Sequence, residues 1–81
     1  MVSKIKKIGP NLWKTTKKDL FKNYSYYWVD ARNRVRSLDM LRDVKTIDIK
    51  KASPYASSSY SGKSRTDALR WLNQLIKSRN R

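Results

Sequence analysis

The 81-residue chain contains no cysteine and no histidine. Without cysteine it has no disulfide, no thiolate nucleophile and no cysteine-based zinc site. Without histidine it lacks the commonest general base and metal ligand. A core of this size leaves only a few kcal/mol of net stability, which is little to support a catalytic cleft. We therefore expect a non-enzymatic protein with no catalytic residues, no cofactor and no metal.

Glutamate is also absent, so that six Asp residues face 20 Lys and Arg residues and the net charge is +14. These positive charges repel one another and oppose compact folding. A polyanion relieves the repulsion, because each neutralised phosphate of a nucleic acid releases a counterion. A basic surface kept only for solubility is the plainer alternative, although acidic residues serve solubility at least as well. The charge therefore favours nucleic-acid binding.

Long apolar runs are missing too. No stretch reaches the roughly 18 apolar residues of a membrane span, so we expect no membrane insertion. The basic residues 1–8 are not followed by the apolar run of a secretory signal. Together with the lack of cysteine, this favours a cytoplasmic location. A role at an anionic membrane surface stays open, because polybasic segments also bind anionic lipid.

The remaining pattern predicts one α+β domain with a small antiparallel sheet and a C-terminal helix. A hairpin is expected at about residues 24–37, where Tyr, Trp and Val are frequent. A further strand is expected at about 45–50, where Ile47 and Ile49 alternate with polar residues. The helix is expected at about 67–78, packed across one face of the sheet.

Four other segments have weaker signals. Residues 1–11 form either an edge strand or a flexible basic arm, ended by the turn signal Gly9-Pro10-Asn11. Residues 52–64 are rich in serine and predict a mobile loop. Residues 16–22, with Thr16 as N-cap, and residues 37–43 have the pattern of short capped helices.

The predicted hairpin offers the sharpest candidate binding surface. Asn33 suits a left-handed position in its loop, which pairs Val29 with Val35 and Trp28 with Arg36. One face then carries Val29, Val35 and Tyr27 towards a core. The opposite face and the loop supply candidate nucleic-acid-binding residues, because aromatic rings stack on bases while guanidinium groups hold phosphates. These candidates are Tyr26, Trp28, Arg32, Arg34 and Arg36. The alternative is that Trp28 or Tyr26 belongs to the core.

The predicted C-terminal helix has Thr66 as its N-cap and Asp67 in its first turn. One arc of its helical wheel carries the apolar residues Ala68, Leu69, Trp71, Leu72, Leu75 and Ile76. This arc is expected to pack on the sheet. The opposite side carries further candidate nucleic-acid-binding residues, which either lie against a groove or face water. These are Arg70, Lys77 and Arg81.

The run Ser61-Gly62-Lys63-Ser64 is similar to the end of a phosphate-binding P-loop. A P-loop also needs a glycine where this chain has Ser57, and a parallel sheet around it, so nucleotide hydrolysis is not expected. Lys63 and loop amides beside a helix N-terminus can still hold a single phosphate. Lys63 is therefore a candidate nucleic-acid-binding residue.

Residues 26–39 resemble the small DNA-binding motif of the NUMOD class found in phage HNH homing endonucleases. Tyr27, Val29 and the block Arg34–Asp39 match that motif, and Asn33 stands at its glycine position. Upstream, Trp13-Lys14 is similar to the Trp-Lys that opens the motif, whereas Asp30-Ala31 replaces its Ser-Asn pair. The resemblance implies a DNA-binding part without the nuclease, since the chain has no histidine, and it favours DNA over RNA. It also implies a phage genome as the source, and so a location at the nucleoid or in the host cytoplasm.

Two other classes of function stay open. One is a small phage effector that binds and modulates a host protein, such as a polymerase or nucleoid factor, through an acidic surface of that protein. The other is a structural protein of the ribosome or virion. The sequence has no recognisable helix-turn-helix or zinc finger, the usual motifs of sequence-specific DNA binding. We therefore expect any DNA binding to be dominated by phosphate contacts, with modest sequence specificity.

Overall fold

The sheet and helix predicted from the sequence are present in the computed structural model, which describes residues 4–80. Within this range the elements follow in the order β1 (Ile5–Gly9), β2 (Leu12–Thr15), β3 (Tyr24–Val29), β4 (Arg34–Met40), α1 (Ile49–Ala52), a 3-10 turn (Ser53–Tyr55), β5 (Ser57–Ser61) and α2 (Arg65–Arg79). The strands form one sheet in the order β1-β2-β3-β4-β5, and neighbouring strands are antiparallel. The predicted α+β class is therefore confirmed.

The β3–β4 hairpin has the predicted register. The expected cross-strand pairs are present, namely Val29 with Val35 and Trp28 with Arg36. Asn33 adopts the left-handed conformation, with φ of 62°, which its short polar side chain tolerates. Its amide donates to the Asp30 carbonyl at 3.1 Å, and this hydrogen bond closes the loop. Local turn chemistry is therefore sufficient to set the register of these two strands.

The first face of the sheet packs against α2. Its buried cluster contains Ile5, Tyr27, Val29, Val35, Ala68 and Leu72. The rest of the predicted apolar arc of the helix packs around this cluster, which confirms the predicted packing face; these residues are Leu69, Trp71, Leu75 and Ile76. At the C-terminal end of α2, the Asn80 side chain accepts a 2.8 Å hydrogen bond from the Ile5 amide and so joins the helix to β1.

The N-cap of α2 is Ser64, whose hydroxyl accepts a 3.2 Å hydrogen bond from the Asp67 amide. The prediction of Thr66 as N-cap is wrong, because Thr66 lies inside the first turn of the helix. Gly62 precedes the cap, and its amide donates to the Asn33 carbonyl at 2.8 Å. A Cβ atom at Gly62 would meet this carbonyl oxygen and the Ala68 amide nitrogen at 2.9 Å each. Glycine therefore allows the start of α2 to approach the β3–β4 loop.

The second face of the sheet is covered by residues 41–56, the segment between β4 and β5. Its buried cluster contains Leu12, Tyr26, Trp28 and Ala56, with Val44, Ile47, Ile49 and others packed against it. Since β3 is the central strand and both of its faces are covered, residues 26–29 are buried one after another. The predicted alternation of core-facing and solvent-facing residues therefore does not apply to β3.

The predicted helix at 37–43 is wrong, because β4 continues through this region to Met40. Met40 lies opposite Tyr24, and Leu38 lies opposite Tyr26. Both apolar side chains pack against the second cluster. Cross-strand burial of alternate residues therefore outweighs the local capping signal of Ser37.

The predicted strand at 45–50 is also wrong. Ile47 and Ile49 do pack inward, but Asp48 accepts a hydrogen bond from the Lys51 amide and starts α1. The fifth strand is Ser57–Ser61, which lies within the segment predicted as a mobile loop at 52–64 and pairs with β4. Backbone pairing explains why a run of serines is a strand although it carries almost no apolar side chains.

At the N-terminus, Ile5–Gly9 forms the edge strand of the sheet, one of the two alternatives for residues 1–11. Residues 1–3 lie outside the described residues. The helical turn predicted at 16–22 is wrong. There the Asp19 carboxylate accepts hydrogen bonds from two amides further along the loop, and Lys22 is left-handed with φ of 65°. This side-chain bonding competes with the helix that the Thr16 signal suggests.

Candidate nucleic-acid interface

Tyr26 and Trp28, predicted to stack on bases, are both 0% exposed. The Tyr26 hydroxyl donates to the Arg42 carbonyl at 2.8 Å and accepts from the Val44 amide at 2.9 Å. The Trp28 indole N–H donates to the Ser53 hydroxyl at 2.9 Å. Each polar group thus holds the segment that covers its own ring. The prediction that these rings are exposed is wrong, and they belong to the core.

Arg36 is bound to the protein itself rather than presented to solvent. Its Nε donates to the Asp30 carboxylate at 2.9 Å, and a terminal nitrogen donates to the Ala56 carbonyl at 3.2 Å. Burial raises the pKa of Asp30, but the Arg36 hydrogen bond and the amides of Arg34 and Arg32 outweigh it and hold that pKa below its ordinary value. Arg36 is therefore chiefly a structural cation.

The other two hairpin arginines differ in exposure. Arg32 is exposed in the loop, and Arg34 is partly buried at the start of β4. Arg32 lines an open cleft together with Arg36 and Lys50, with Ile49 and Pro54 as apolar neighbours. Of the predicted hairpin candidates, Arg32 is the one that is exposed.

Lys63 lies at the N-terminus of α2, as predicted, but its amide is not available for a phosphate. It donates to the Asp67 carboxylate at 3.0 Å, and the Tyr60 hydroxyl donates to the same oxygen at 2.8 Å. Both bonds hold the pKa of Asp67 below its ordinary value, and the hydrogen bond to Asp67 together with burial raises the pKa of Tyr60. The carboxylate therefore occupies the position that an anion would take, and Lys63 offers only its exposed side chain.

Arg70 and Lys77 are exposed on the outer face of α2, as predicted. Asn73 and Gln74 lie between them and are exposed as well, so the four polar side chains line one face of the helix. Arg81, the third predicted residue of this line, lies outside the described residues. We call Arg70, Asn73, Gln74 and Lys77 the α2 stripe.

A second basic surface, none of whose residues is among the predicted site residues, lies on the other face of the sheet. Lys6 of β1 stands directly opposite Lys14 of β2. Lys14 forms an ion pair with Asp43, and the charges of Lys6 and Lys18 also act on that carboxylate. We call Lys6, Lys14 and Lys18 the lysine cluster. The turn signal at Gly9-Pro10-Asn11 could have suggested that β1 and β2 pair, but not that Asp43 would meet them.

Lys14 anchors this cluster, because its own side chain is only 5% exposed. Its ammonium group lies 4.1 Å from the Tyr24 ring centre and 5.8 Å from the Tyr26 ring centre. Cation–π attraction and the Asp43 ion pair stabilise its charge. The hydrogen bond from Lys14 holds the pKa of Asp43 below its ordinary value. Lys6 and Lys18 are exposed beside this pair, and they leave the site with a net positive charge.

Within residues 4–80, no group of three or more His, Cys, Asp or Glu side chains is placed to hold a metal ion. No helix in this part of the chain is long and apolar enough to cross a membrane. No family model matches the chain, and comparisons with curated proteins and with solved structures find no match.

Proposed function

We propose that this protein is a non-enzymatic nucleic-acid-binding protein whose preferred ligand is duplex DNA. The lysine cluster is its main contact surface, and it acts in the cytoplasm, at the nucleoid or in a phage-infected host. Phosphate contacts supply most of the affinity, and sequence specificity is modest.

The observation that carries this proposal is the arrangement of three lysines around one carboxylate. Like charges directly opposite each other on neighbouring strands are unfavourable, and Lys6 stands directly opposite Lys14. Asp43 neutralises only one of the three charges. A phosphate backbone running past Lys6 and Lys18 would relieve the remaining repulsion and release its own counterions.

The other acidic side chains are too few to compensate for this excess, and each of them accepts hydrogen bonds within its own part of the fold. Asp39 accepts from the Ser25 hydroxyl at 2.7 Å, and Asp48 caps α1. Asp19, Asp30 and Asp67 each accept from backbone amides. With six Asp against 20 Lys and Arg, neutralisation has to come from outside the chain.

The covered faces of the sheet support binding through phosphates rather than bases. Tyr26 and Trp28 are buried, so these two rings do not stack on bases in the folded protein. Further exposed basic positions are Arg32, Lys63 and the two cations of the α2 stripe, Arg70 and Lys77. The α2 stripe lies on the opposite side of the sheet from the lysine cluster, so a short straight duplex cannot contact both at once. The resemblance of residues 26–39 to a phage DNA-binding motif supports DNA over RNA.

A fluorescence anisotropy titration tests the proposal, using a labelled DNA duplex and an RNA duplex of the same sequence. We expect DNA to bind at about 50 mM salt, and the affinity to fall by orders of magnitude towards about 200 mM. No DNA binding at the lower salt would overturn the proposal. A host protein that stays bound at high salt after nuclease treatment of a lysate would instead favour an effector.

A further inference from the structure

Two large apolar side chains project from the β2–β3 loop. Leu20 is 97% exposed and Phe21, its neighbour in sequence, is 79% exposed. Single exposed apolar residues are ordinary in folded proteins. Two adjacent exposed apolar residues at a loop tip are less ordinary, because burial of both side chains would be favourable. We call Leu20 and Phe21 the apolar tip.

The apolar tip is held by an ordered loop. The Asp19 carboxylate accepts hydrogen bonds from the Phe21 amide at 2.8 Å and the Asn23 amide at 2.9 Å. The backbone groups of Asp19 also bond to Lys22 and Asn23, at 3.0 Å each. The loop therefore presents Leu20 and Phe21 to solvent in a defined conformation, so that little ordering is needed when a partner binds.

Positive charge surrounds the apolar tip. Lys17 and Lys18 precede Leu20, and Lys22 follows Phe21. Lys18 also belongs to the lysine cluster, where its ammonium group lies 5.9 Å from the Tyr24 ring centre. The tip and the cluster are thus continuous, and a polyanion on the cluster brings its next phosphates to the tip.

We propose that Leu20 and Phe21 form a wedge that enters the minor groove of duplex DNA and separates two adjacent base pairs. The flanking lysines hold the phosphates on either side of the groove. Apolar side chains inserted in this way unstack one base step and bend the duplex, which lets more of the DNA reach the protein. The proposal rests on the proposed function, and it turns the lysine cluster into part of a DNA-bending surface.

The charges around the tip argue for this partner over an apolar groove in another protein. A protein groove that accepts Leu20 and Phe21 would also have to neutralise the lysines on both sides of them. An anionic membrane surface matches the same charges, but the cluster next to the tip lies on a folded sheet edge rather than on an amphipathic helix. The experiment therefore has to distinguish binding to DNA from binding to a membrane.

The experiment uses a DNA duplex with 2-aminopurine in place of adenine at TA steps, which unstack easily. The same duplex carries an energy-transfer pair at its ends. We expect the wild-type protein to raise the 2-aminopurine fluorescence and to shorten the end-to-end distance. Phe21→Ala and Leu20→Ala should reduce both signals several-fold and leave the salt dependence of binding unchanged. Tyr55→Ala, which removes another aromatic ring that is 84% exposed, is the matched control and should keep both signals.

The outcomes separate the wedge from the proposed function. If the wild-type protein binds DNA but gives neither signal, the wedge is wrong and the proposed function stands. If no DNA binds, both are wrong. Sedimentation with phosphatidylserine vesicles completes the test. Vesicle binding that depends on Phe21, without any Phe21-dependent signal on DNA, would overturn the proposal in favour of a membrane contact.

Discussion

The Nε atom of Arg36 donates a 2.9 Å hydrogen bond to the carboxylate of Asp30, across the base of the β3–β4 loop. The other oxygen of this carboxylate accepts the amides of Arg32 and Arg34, at 2.9 Å each. The guanidinium group also reaches the Ala56 carbonyl, just before β5. One ion pair thus joins the hairpin loop to the segment that covers the second face of the sheet.

Replacing Arg36 with alanine should lower the free energy of unfolding by about 3 kcal/mol, because it leaves a largely buried carboxylate without its partner. Replacing Arg34, which bonds to Asp30 only through its backbone amide, should cost no more than about 1 kcal/mol. Urea unfolding measures the loss of stability in each variant, and each variant lacks one arginine. Equal losses would show that the Asp30 ion pair does not stabilise the loop.

Asp30 should also make the stability depend on pH in acid. Its pKa in the folded protein lies below the ordinary value of 3.8. A carboxylate of this kind contributes stability that is present above its unfolded pKa and is lost as pH falls through its folded pKa. The free energy of unfolding should therefore decrease below about pH 4.

The control for this pH dependence is Asp30→Asn. This variant should be less stable than the wild type near neutral pH, and the difference between the two should shrink in acid. Urea unfolding at several pH values between about 6 and about 2 measures both effects. A constant difference across this range would mean that the titration of Asp30 is not coupled to folding.

The features that could be predicted from the sequence are those set by interactions between residues close together in the chain. The Asn33 amide bonds to the carbonyl of Asp30, three residues away, so the turn could be predicted from the local sequence. The apolar spacing of α2 was readable for the same reason. Tyr26 and Trp28 could not be assigned correctly, because the residues that cover them come from 41–56, where the alternation of Ile47 and Ile49 predicts a strand rather than a segment packed across the sheet.

The Tyr26 hydroxyl should hold that covering segment in place. Tyr26→Phe removes an acceptor for the Val44 amide and a donor to the Arg42 carbonyl. We expect a cost of about 1–2 kcal/mol and faster hydrogen exchange at the Val44 amide. The amide of Leu72, in the middle of α2, is the internal reference, and its exchange rate should change only with the global stability of the protein. Unchanged exchange at Val44 would show that the segment is held by apolar packing alone.

The N-terminus of α2 provides a test of cap assignment. Ser64→Ala removes the hydroxyl that accepts from the Asp67 amide, and it should cost about 1 kcal/mol. Thr66→Ala should be close to neutral, because Thr66 lies within the first turn and is exposed. Thermal melting compares the two. A larger loss for Thr66→Ala would restore the cap predicted from the sequence.

The candidate interface was less predictable than the fold. The lysine cluster brings together residues from β1, β2 and the β2–β3 loop beside a carboxylate from the region after β4, and it depends on the pairing of Lys6 with Lys14. No local pattern marks Asp43 as their shared partner. Arg70 and Lys77, by contrast, lie on one helix, and their shared exposure followed directly from helical spacing.

The most direct test compares two double variants. Each variant removes two positive charges, and the two variants act on opposite sides of the sheet. One is Lys6→Ala with Lys18→Ala, and the other is Arg70→Ala with Lys77→Ala. Duplex DNA affinity is measured by anisotropy across a range of salt concentrations, with melting temperatures as the check on folding. We predict that the first variant binds more weakly and that its slope of log affinity against log salt falls by about 2, roughly one unit for each lost phosphate contact. The second should bind like the wild type. If the Lys6 and Lys18 variant kept the affinity and the salt slope of the wild type, the lysine cluster would not be the main contact surface. The contradiction would be clearest if the Arg70 and Lys77 variant bound more weakly and with a smaller slope.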